Sequence, residues 1–182
     1  MDRRIEKTRQ LIMTTFMDLV REKGFEKTTI RDISERADIN RGTVYLHFVD
    51  KYDILEKCID KYLEELTIHC KNEPQIKLKK DALPGMFSYM EENKELYSLL
   101  YKNDKAGIFR SKLHEIISAQ IDAAFTKFPK EMVASKDITT EFLSNGFLGV
   151  TEWWLRESFP YTSEEMAAHL FTLFKPYTKY LK

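Results

Sequence analysis

The pattern of apolar and polar positions along the chain predicts an all-α protein. From residue 2 to residue 23 the apolar side chains recur at steps of three, four and seven, so they share one face of an amphipathic helix. Gly24 follows a basic last turn and predicts where this helix ends. Only 6 Gly and 5 Pro occur in 182 residues, so we expect long helices with few interruptions.

Two short helices are predicted to follow the first. Thr28 or Thr29 is expected to cap the second helix, because a hydroxyl there can accept from the free amides of the first turn. A tight turn at Asp38 then leads to Asn40, a favourable N-cap for a third helix over residues 41–47. Three short helices in this order are typical of a helix-turn-helix unit.

The remainder of the chain predicts a long connecting helix and a helical bundle. Asp50 is expected to cap a fourth helix that runs toward Cys70, and the polar segment around Pro74 predicts a loop. Later helices are predicted over residues 82–92, 94–101, 108–128, 137–157 and 163–175.

About nine helices in three regions are therefore expected. Residues 1–48 form the helix-turn-helix domain, residues 49–71 the connector, and residues 72–182 a C-terminal helical domain. Thr162 and Glu165 predict a capping box for the last helix, which Pro176 is expected to end or bend.

Composition excludes several classes of function. The 29 basic and 29 acidic residues cancel, so attraction to a polyanion has to come from their local distribution. Cys58 and Cys70 lack the spacing of a zinc site or a redox pair, and we expect no metal and no cofactor. No secretory signal, membrane span or familiar catalytic motif is found, so a cytoplasmic protein that is not an enzyme is expected.

The third predicted helix carries the candidate chemistry. It is too short and too poor in apolar residues to be explained by core burial, since only Val44 and Phe48 need to point inward. Its remaining side chains suit the major groove of DNA, which admits one helix. The residues expected to contact bases are Arg41, Gly42 and Thr43, and those expected to contact phosphates are Thr28, Thr29, Tyr45, His47 and Lys51.

These residues resemble the DNA-binding signature of the TetR family of bacterial transcriptional regulators. The resemblance lies in Gly24-Phe25, in Thr28-Thr29-Ile30-Arg31-Asp32-Ile33-Ser34, in the run from Asn40 to Phe48, and in Lys51 and Leu55. It implies an all-helical homodimer that binds a palindromic operator in double-stranded DNA, usually as a repressor. It also implies release by a small-molecule effector bound in the C-terminal domain.

Three positions depart from the pattern that the family usually shows. Ser34 stands for Ala and is nearly the same size, and Asp38 stands for Gly but can adopt the left-handed turn conformation. Leu46 stands where a second aromatic residue is often found. It exchanges a possible phosphate hydrogen bond for an apolar contact with a sugar or a thymine methyl group, so Leu46 is not placed among the phosphate contacts.

The C-terminal part predicts a dimer interface on two helices. Two glycines three residues apart lower helix propensity, so we expect them to permit a close approach between helices. The residues expected at the interface are Phe142, Gly146, Gly149, Trp153, Leu170, Phe171, Phe174 and Tyr177. The stretch 147–159, followed by Pro160, also resembles the C-terminal domain of the dihydroxyacetone-kinase-type regulators within the same family.

Aromatic residues with a few polar tips are candidates for an effector pocket. They are Phe87, Tyr89, Tyr97, Tyr101, Phe109, His114, Phe147 and Trp154. The alternative is that most of them fill the core. For the whole chain, the expected function is sequence-specific regulation of transcription, and the alternative is a helical dimer that acts as a coactivator or adaptor without effector switching. The adaptor reading leaves Arg41 and its neighbours without a role.

Overall fold

The computed structural model describes residues 3–72, 83–104, 107–125 and 134–178, and over these ranges the chain is helical, without a strand. The helices are α1 (Arg3–Lys23), α2 (Ile30–Arg36), α3 (Arg41–His47), α4 (Lys51–Asn72), α5 (Leu83–Glu92), α6 (Lys94–Asn103), α7 (Ile108–Ala124), α8 (Lys136–Arg156) and α9 (Ser163–Thr178). The prediction of an all-α fold is confirmed. The loop predicted around Pro74 and the last residues predicted for the seventh helix, 126–128, lie outside the described residues.

The chain forms two compact units, Met1–Lys61 and Tyr62–Lys182, so their boundary falls within α4. The finer division into a head, a connector and a C-terminal domain, with boundaries after residues 48 and 71, stays a prediction.

The first unit is built around one small core. Ile12 and Phe16 of α1, Ile33 of α2 and Val44 of α3 are fully buried, and Phe48 closes the C-terminal end of α3. Apolar residues three or four apart share one helix face, so each short helix contributes only one or two side chains to this core. The other faces of α2 and α3 are left for solvent or for a partner.

Two turns fix the directions of these short helices. Gly24 ends α1 with φ of 84° and donates its N–H to the carbonyl of Val20, a left-handed cap that favours glycine. Asp38 takes φ of 51° between α2 and α3, as predicted. The cap at α2 is also confirmed, because Thr29 and Asp32 form a reciprocal capping box.

The second unit is an aromatic-rich bundle in which α7 packs along α8 and α5 along α9. The predicted capping box at the start of α9 is confirmed, since Glu165 accepts from the N–H and hydroxyl of Thr162 and donates its own N–H back to that hydroxyl. Of the two expectations for Pro176, an end of the helix is wrong, because α9 continues to Thr178, and a bend stays a prediction. A proline this close to the end removes one backbone hydrogen bond, which the last turn can lose.

No helix among the described residues combines the length and the apolar character needed to cross a membrane.

Candidate nucleic-acid interface

The third helix is held by one edge, and the rest of its surface is open. Val44 is fully buried and Phe48 nearly so, whereas Arg41, Gly42, Tyr45 and Leu46 are exposed. Asn40 caps the helix, and its side-chain oxygen accepts the N–H of Gly42 at 2.7 Å. The helix is therefore a short rod fixed to the core on one side and presented outward on the other.

Arg41 and Tyr45 are already paired along the exposed edge of α3. The guanidinium Nη2 donates to the Tyr45 hydroxyl at 3.0 Å, and its carbon lies 5.4 Å from the centre of the tyrosine ring. Residues four apart are neighbours on a helix surface, which explains the contact. The pairing holds the guanidinium beside the Tyr45 side chain and uses one of its five N–H donors.

Gly42 has a structural role beside the predicted one. A Cβ atom built on it would lie 3.2 Å from the side-chain oxygen of Asn40, closer than an ordinary contact. A side chain at Gly42 would therefore push against the cap that starts the helix. Thr43 is half-buried, and its N–H donates to the carbonyl of Asn40 at 2.8 Å. The base contacts predicted for Arg41, Gly42 and Thr43 stay predictions. Arg41 and Gly42 are exposed, as such contacts require.

The C-terminal end of α3 is fixed by a residue that the sequence reasoning missed. Arg9 of α1 donates to the carbonyl of His47 at 3.0 Å, and its guanidinium carbon lies 4.6 Å from the centre of the Phe48 ring. A cation that bonds one of the last carbonyls of a helix also complements the helix dipole. The available signal was a charged residue three positions before Ile12, on the apolar stripe of α1.

The phosphate contact predicted for Thr28 is wrong for its side chain. Thr28 is fully buried, and its hydroxyl donates to the carbonyl of Gly24 at 2.9 Å. Its N–H is also in use, donating to the carbonyl of Phe25 at 3.2 Å. Two adjacent threonines looked equivalent in the sequence, but one of them closes the turn between α1 and α2 from the inside.

Lys51, predicted to contact a phosphate, has other partners in this structure, and its phosphate contact stays a prediction. Its ammonium donates to the carbonyls of Phe25, Glu26 and Thr28 at 3.0, 3.2 and 3.3 Å, which uses all three of its hydrogens. Asp50 caps α4 as predicted, because its carboxylate accepts the N–H groups of Tyr52 and Asp53 at 2.8 and 2.9 Å. The Asp50 carboxylate occupies these amides and repels phosphate. The Lys51 ammonium, through its three hydrogen bonds, braces the loop between α1 and α2.

Thr29 is exposed, but its polar groups serve the start of α2. Its hydroxyl lies 2.6 Å from the Asp32 carboxylate, and its N–H donates to the same carboxylate at 2.8 Å. Lys23 pairs with Asp32 at 2.7 Å, and this contact together with the Thr29 hydrogen bonds lowers the pKa of Asp32 to about 2. A phosphate at Thr29 would have to share these donors, so that contact stays a prediction, as do those of Tyr45 and the half-buried His47.

The residues predicted for an effector pocket form the core of the second unit. Phe87 stacks on Phe147 and meets Trp154 edge-on, with ring centres 5.8 and 5.2 Å apart. The polar tip of Tyr97 donates to the carbonyl of Tyr62, and that of Trp154 to the carbonyl of Tyr161. The rings of Phe87, Tyr97, Phe109, Phe147 and Trp154 are all buried, so these side chains are core residues first.

The other predicted pocket residues are less deeply buried, and one of them carries an unsatisfied atom. The Tyr89 hydroxyl donates to Glu65 at 3.2 Å. Burial, and to a smaller extent the negative charge of Glu65, raises the pKa of Tyr89 to about 12. Tyr101 is half-buried. Within the described residues, His114 Nε2 and Thr140 Oγ1 are buried without a hydrogen-bond partner, and the Glu141 carboxylate lies 3.8 Å from that nitrogen. Thr140 was not among the predicted residues.

The residues predicted for the dimer interface on α8 include exposed ones, two of those predicted on α9 are buried, and the interface itself stays a prediction. Phe142 is 65% exposed, and a Cβ atom on Gly146 or Gly149 would meet nothing within 4 Å. Leu170 and Phe174 instead point into the subunit's own core, because α9 buries the stripe that contains them. The exposed apolar side chains that the sequence reasoning missed are Ile138 and Leu173.

Trp153, Phe171 and Tyr177 are half-buried at the edge of this surface. The Trp153 ring packs on that of Tyr161, with the centres 6.0 Å apart. We call the exposed residues Ile138, Phe142, Gly146 and Gly149 of α8, with Leu173 of α9, the α8–α9 face.

Comparisons with known proteins cover both units. Residues 12–58 match the family described as "Bacterial regulatory proteins, tetR family", and residues 80–176 match the one described as "Transcriptional regulator C-terminal region". The second match covers more than half of the chain. The first contains α2 and α3, and the second contains the α8–α9 face.

Two curated relatives align with part of the chain. YxbF of Bacillus subtilis strain 168, an uncharacterized HTH-type transcriptional regulator, is 32% identical over 100 residues, which are 54% of this chain and 24% of YxbF. IcaR of Staphylococcus aureus strain Newman, the negative transcriptional regulator of the biofilm operon icaADBC, is 30% identical over 94 residues, 50% of each chain. The matched part thus spans about a quarter of YxbF and about half of IcaR.

A solved structure, the dihydroxyacetone kinase operon activator DhaS, matches with a TM-score of 0.64 and 15% sequence identity. The match covers 96% of this chain and 98% of the DhaS chain. At this identity the likeness shows a common fold, and the resemblance of residues 147–159 to that subgroup stays a prediction.

Proposed function

Because this chain belongs to the TetR family of bacterial regulatory proteins, we propose that it is a dimeric repressor that binds a palindromic operator and is released by a small molecule. The observation that carries the proposal is the open face of α3, which is fixed at one edge by Val44 and Phe48 and carries the exposed Arg41 beside Tyr45. A face of this kind matches the width and the polarity of the DNA major groove.

Arg41 is the residue best placed to read a base. A guanidinium can donate two parallel hydrogen bonds to O6 and N7 of guanine, the commonest specific contact in protein–DNA complexes. Its present partner is the Tyr45 hydroxyl, and both groups are exposed, so exchanging this hydrogen bond for one with a base costs little. Once released, the Tyr45 hydroxyl is free to donate to a phosphate oxygen beside the groove.

The α8–α9 face supports a homodimer. Phe142 and Leu173 expose large apolar side chains, and the uncovered backbone at Gly146 and Gly149 lets a second helix approach closely. A two-fold axis through such a face pairs each patch with itself. Two copies of α3 would then enter successive major grooves, with half-site centres about 34–36 Å apart or a multiple of that distance.

Effector control is proposed for the second unit. Among the described residues, the unsatisfied atoms of His114 and Thr140 are candidates for polar contacts with a ligand beside aromatic walls. A ligand changes operator affinity only if it binds one arrangement of the dimer better than the other. Since α4 continues from the first unit into the second, we infer that this helix carries the change.

The negative sign of regulation is proposed from IcaR, named as a negative regulator and 30% identical over its aligned half. Both operator binding and release would take place in the cytoplasm, where the bacterial chromosome lies. We propose no enzymatic activity.

Selection from a pool of random DNA duplexes tests the proposal. The full chain is expected to enrich a palindrome, and its affinity for that site should exceed its affinity for random duplex by at least about a thousandfold. The Arg41→Ala variant should retain weak binding that falls with added salt and should lose the enrichment. If no sequence is enriched at moderate salt, the proposal is wrong, and the adaptor alternative remains.

A further inference from the structure

Leu46 is the most exposed large apolar side chain among the described residues, at 83% of its surface. Single exposed leucines are common on proteins, so exposure alone has no meaning. Its position gives it meaning, because Leu46 belongs to the short helix whose open face is proposed to enter DNA.

The geometry of α3 places Leu46 at the centre of that face. Successive residues on an α-helix are about 100° apart, so Leu46 projects about 200° away from Val44, the residue that anchors the helix to the core. Tyr45 and His47 lie about 100° to either side of it. A helix anchored at Val44 therefore points Leu46 straight outward.

The surface beneath Leu46 is also free of competing side chains. Gly42 lies four residues earlier, on the same face and one turn nearer the start of the helix. Helical side chains lean toward the N-terminus, so Leu46 covers the turn where Gly42 has no side chain. Arg41 is held aside against the Tyr45 ring, 5.4 Å from its centre. The middle of the open face is therefore a single leucine.

We propose that Leu46 is a specificity-determining residue that packs against the 5-methyl group of a thymine in each half-site of the operator. This inference rests on the proposed function. In a helix lying in the major groove, side chains at its N-terminal end and on its outermost face reach the base edges, while those on its flanks face the phosphates and sugars. Leu46 is the outermost side chain of α3, and Tyr45 and His47 lie on its flanks.

The chemistry of the groove selects thymine. The methyl group of thymine is the apolar group that the unmodified bases present there, and the other edges present hydrogen-bond donors and acceptors. A leucine over guanine, adenine or cytosine would remove water from polar atoms without replacing their hydrogen bonds, which is unfavourable. Leu46 thus favours thymine both by contact and by excluding the alternatives.

Replacing thymine with uracil tests this contact directly, because uracil lacks the methyl group and keeps the base pair. The operator is first selected with the full chain, and each thymine of one half-site is then changed singly to deoxyuridine. The Kd is measured for the wild type, for Leu46→Ala and for Leu11→Ala, which truncates an exposed leucine of α1 in the same unit.

At one thymine, we expect uracil to weaken wild-type binding about fourfold, the change that burial of one methyl group produces. Leu11→Ala should show the same penalty, and Leu46→Ala should show none at that position. Thermal unfolding checks that Leu46→Ala folds, which its exposure leads us to expect.

The outcomes separate the two proposals. If an operator is enriched but no uracil substitution weakens wild-type binding, or if the penalty is equal in Leu46→Ala, the inference is wrong and the proposed function stands. If Leu46→Ala lowers the affinity for every duplex by the same factor, whichever thymine is replaced, the contact is with a sugar, and the inference is also wrong. If no operator is enriched, both proposals fail.

Discussion

Two surfaces of this molecule leave apolar side chains in solvent, and they differ in what surrounds those side chains. On α3 a single leucine lies among arginine, tyrosine, threonine and histidine, on a helix of seven residues. The α8–α9 face combines the exposed Ile138, Phe142 and Leu173 with two bare glycines, on helices of 21 and 16 residues. The first surface can satisfy the polar edges of a nucleic acid, and the second offers apolar area to another protein surface.

The way in which each helix is fixed follows the same division. The long helix α8 buries a continuous stripe along its length, so its outer face is positioned by packing alone. The short helix α3 has too little buried surface for that, and it relies on the Asn40 cap and on the Arg9 hydrogen bond to His47. A surface that meets DNA through a short helix therefore depends on polar contacts at both of its ends.

The largest expected effect breaks the apolar surface. Replacing Gly149 with arginine adds a charge to the α8–α9 face, and burying it unpaired would cost several kcal/mol. Nothing lies within 4 Å of a Cβ atom at Gly149, so each subunit should still fold. We expect a monomer by sedimentation at micromolar concentration, with loss of operator binding.

The matched control places the same charge on α7. Ala119→Arg occupies an exposed position outside the α8–α9 face and should leave the dimer intact. A Gly149→Arg protein that sediments as a folded dimer would show that the interface lies elsewhere.

A smaller effect tests how α3 is fixed. Arg9→Ala removes a charged hydrogen bond to the last turn of α3 and the contact with the Phe48 ring, and it should lower the free energy of unfolding by about 1.5–3 kcal/mol. Operator affinity should fall with it, although Arg9 is not proposed to contact a base. Urea unfolding and operator titration measure the two quantities. Unchanged values for both would mean that the carbonyl of His47 needs no partner.

The smallest expected effect concerns pH and the cap of α2. The contact with Lys23, followed in size by the hydrogen bonds from Thr29, lowers the pKa of Asp32 to about 2 in the folded protein, from its ordinary value of 3.8. A carboxyl with a lowered pKa stabilises the fold above its unfolded value, and this contribution is lost as the pH falls from about 4 toward 2. We expect the stability difference between the wild type and Asp32→Asn, from urea unfolding, to shrink over that range. A difference independent of pH would contradict the assignment.

The sequence was informative where one residue type has one local use. Asn40 as a cap, Asp38 in a left-handed turn, and the Thr29–Asp32 and Thr162–Glu165 capping boxes depend on neighbours two or three residues away, so a pattern of spacing is enough to predict them. The outward face of α3 follows for the same reason, because Val44 and Phe48 are the apolar residues that a short helix can bury.

The surroundings of other predicted site residues depend on contacts that no spacing reveals. Thr28 and Thr29 have the same chemistry, and only the path of the turn decides which one is buried. Lys51 is placed by three carbonyls more than twenty residues earlier in the chain. On α9, apolar residues lie on both sides of the helix, so Leu170 and Phe174 could not be separated from Leu173 until the core was known.

The central claim is that the open face of α3 reads base pairs, and Arg41→Ala measured beside Arg21→Ala tests it most directly. Arg21 lies on α1, where it pairs with Asp18, so Arg21→Ala removes the same charge from a residue that is not proposed to contact DNA. On the selected operator, Arg41→Ala should weaken binding by about 1–3 kcal/mol and reduce the preference over random duplex, with little change for Arg21→Ala. Equal losses for the two variants, or a preference that survives Arg41→Ala, would contradict the claim.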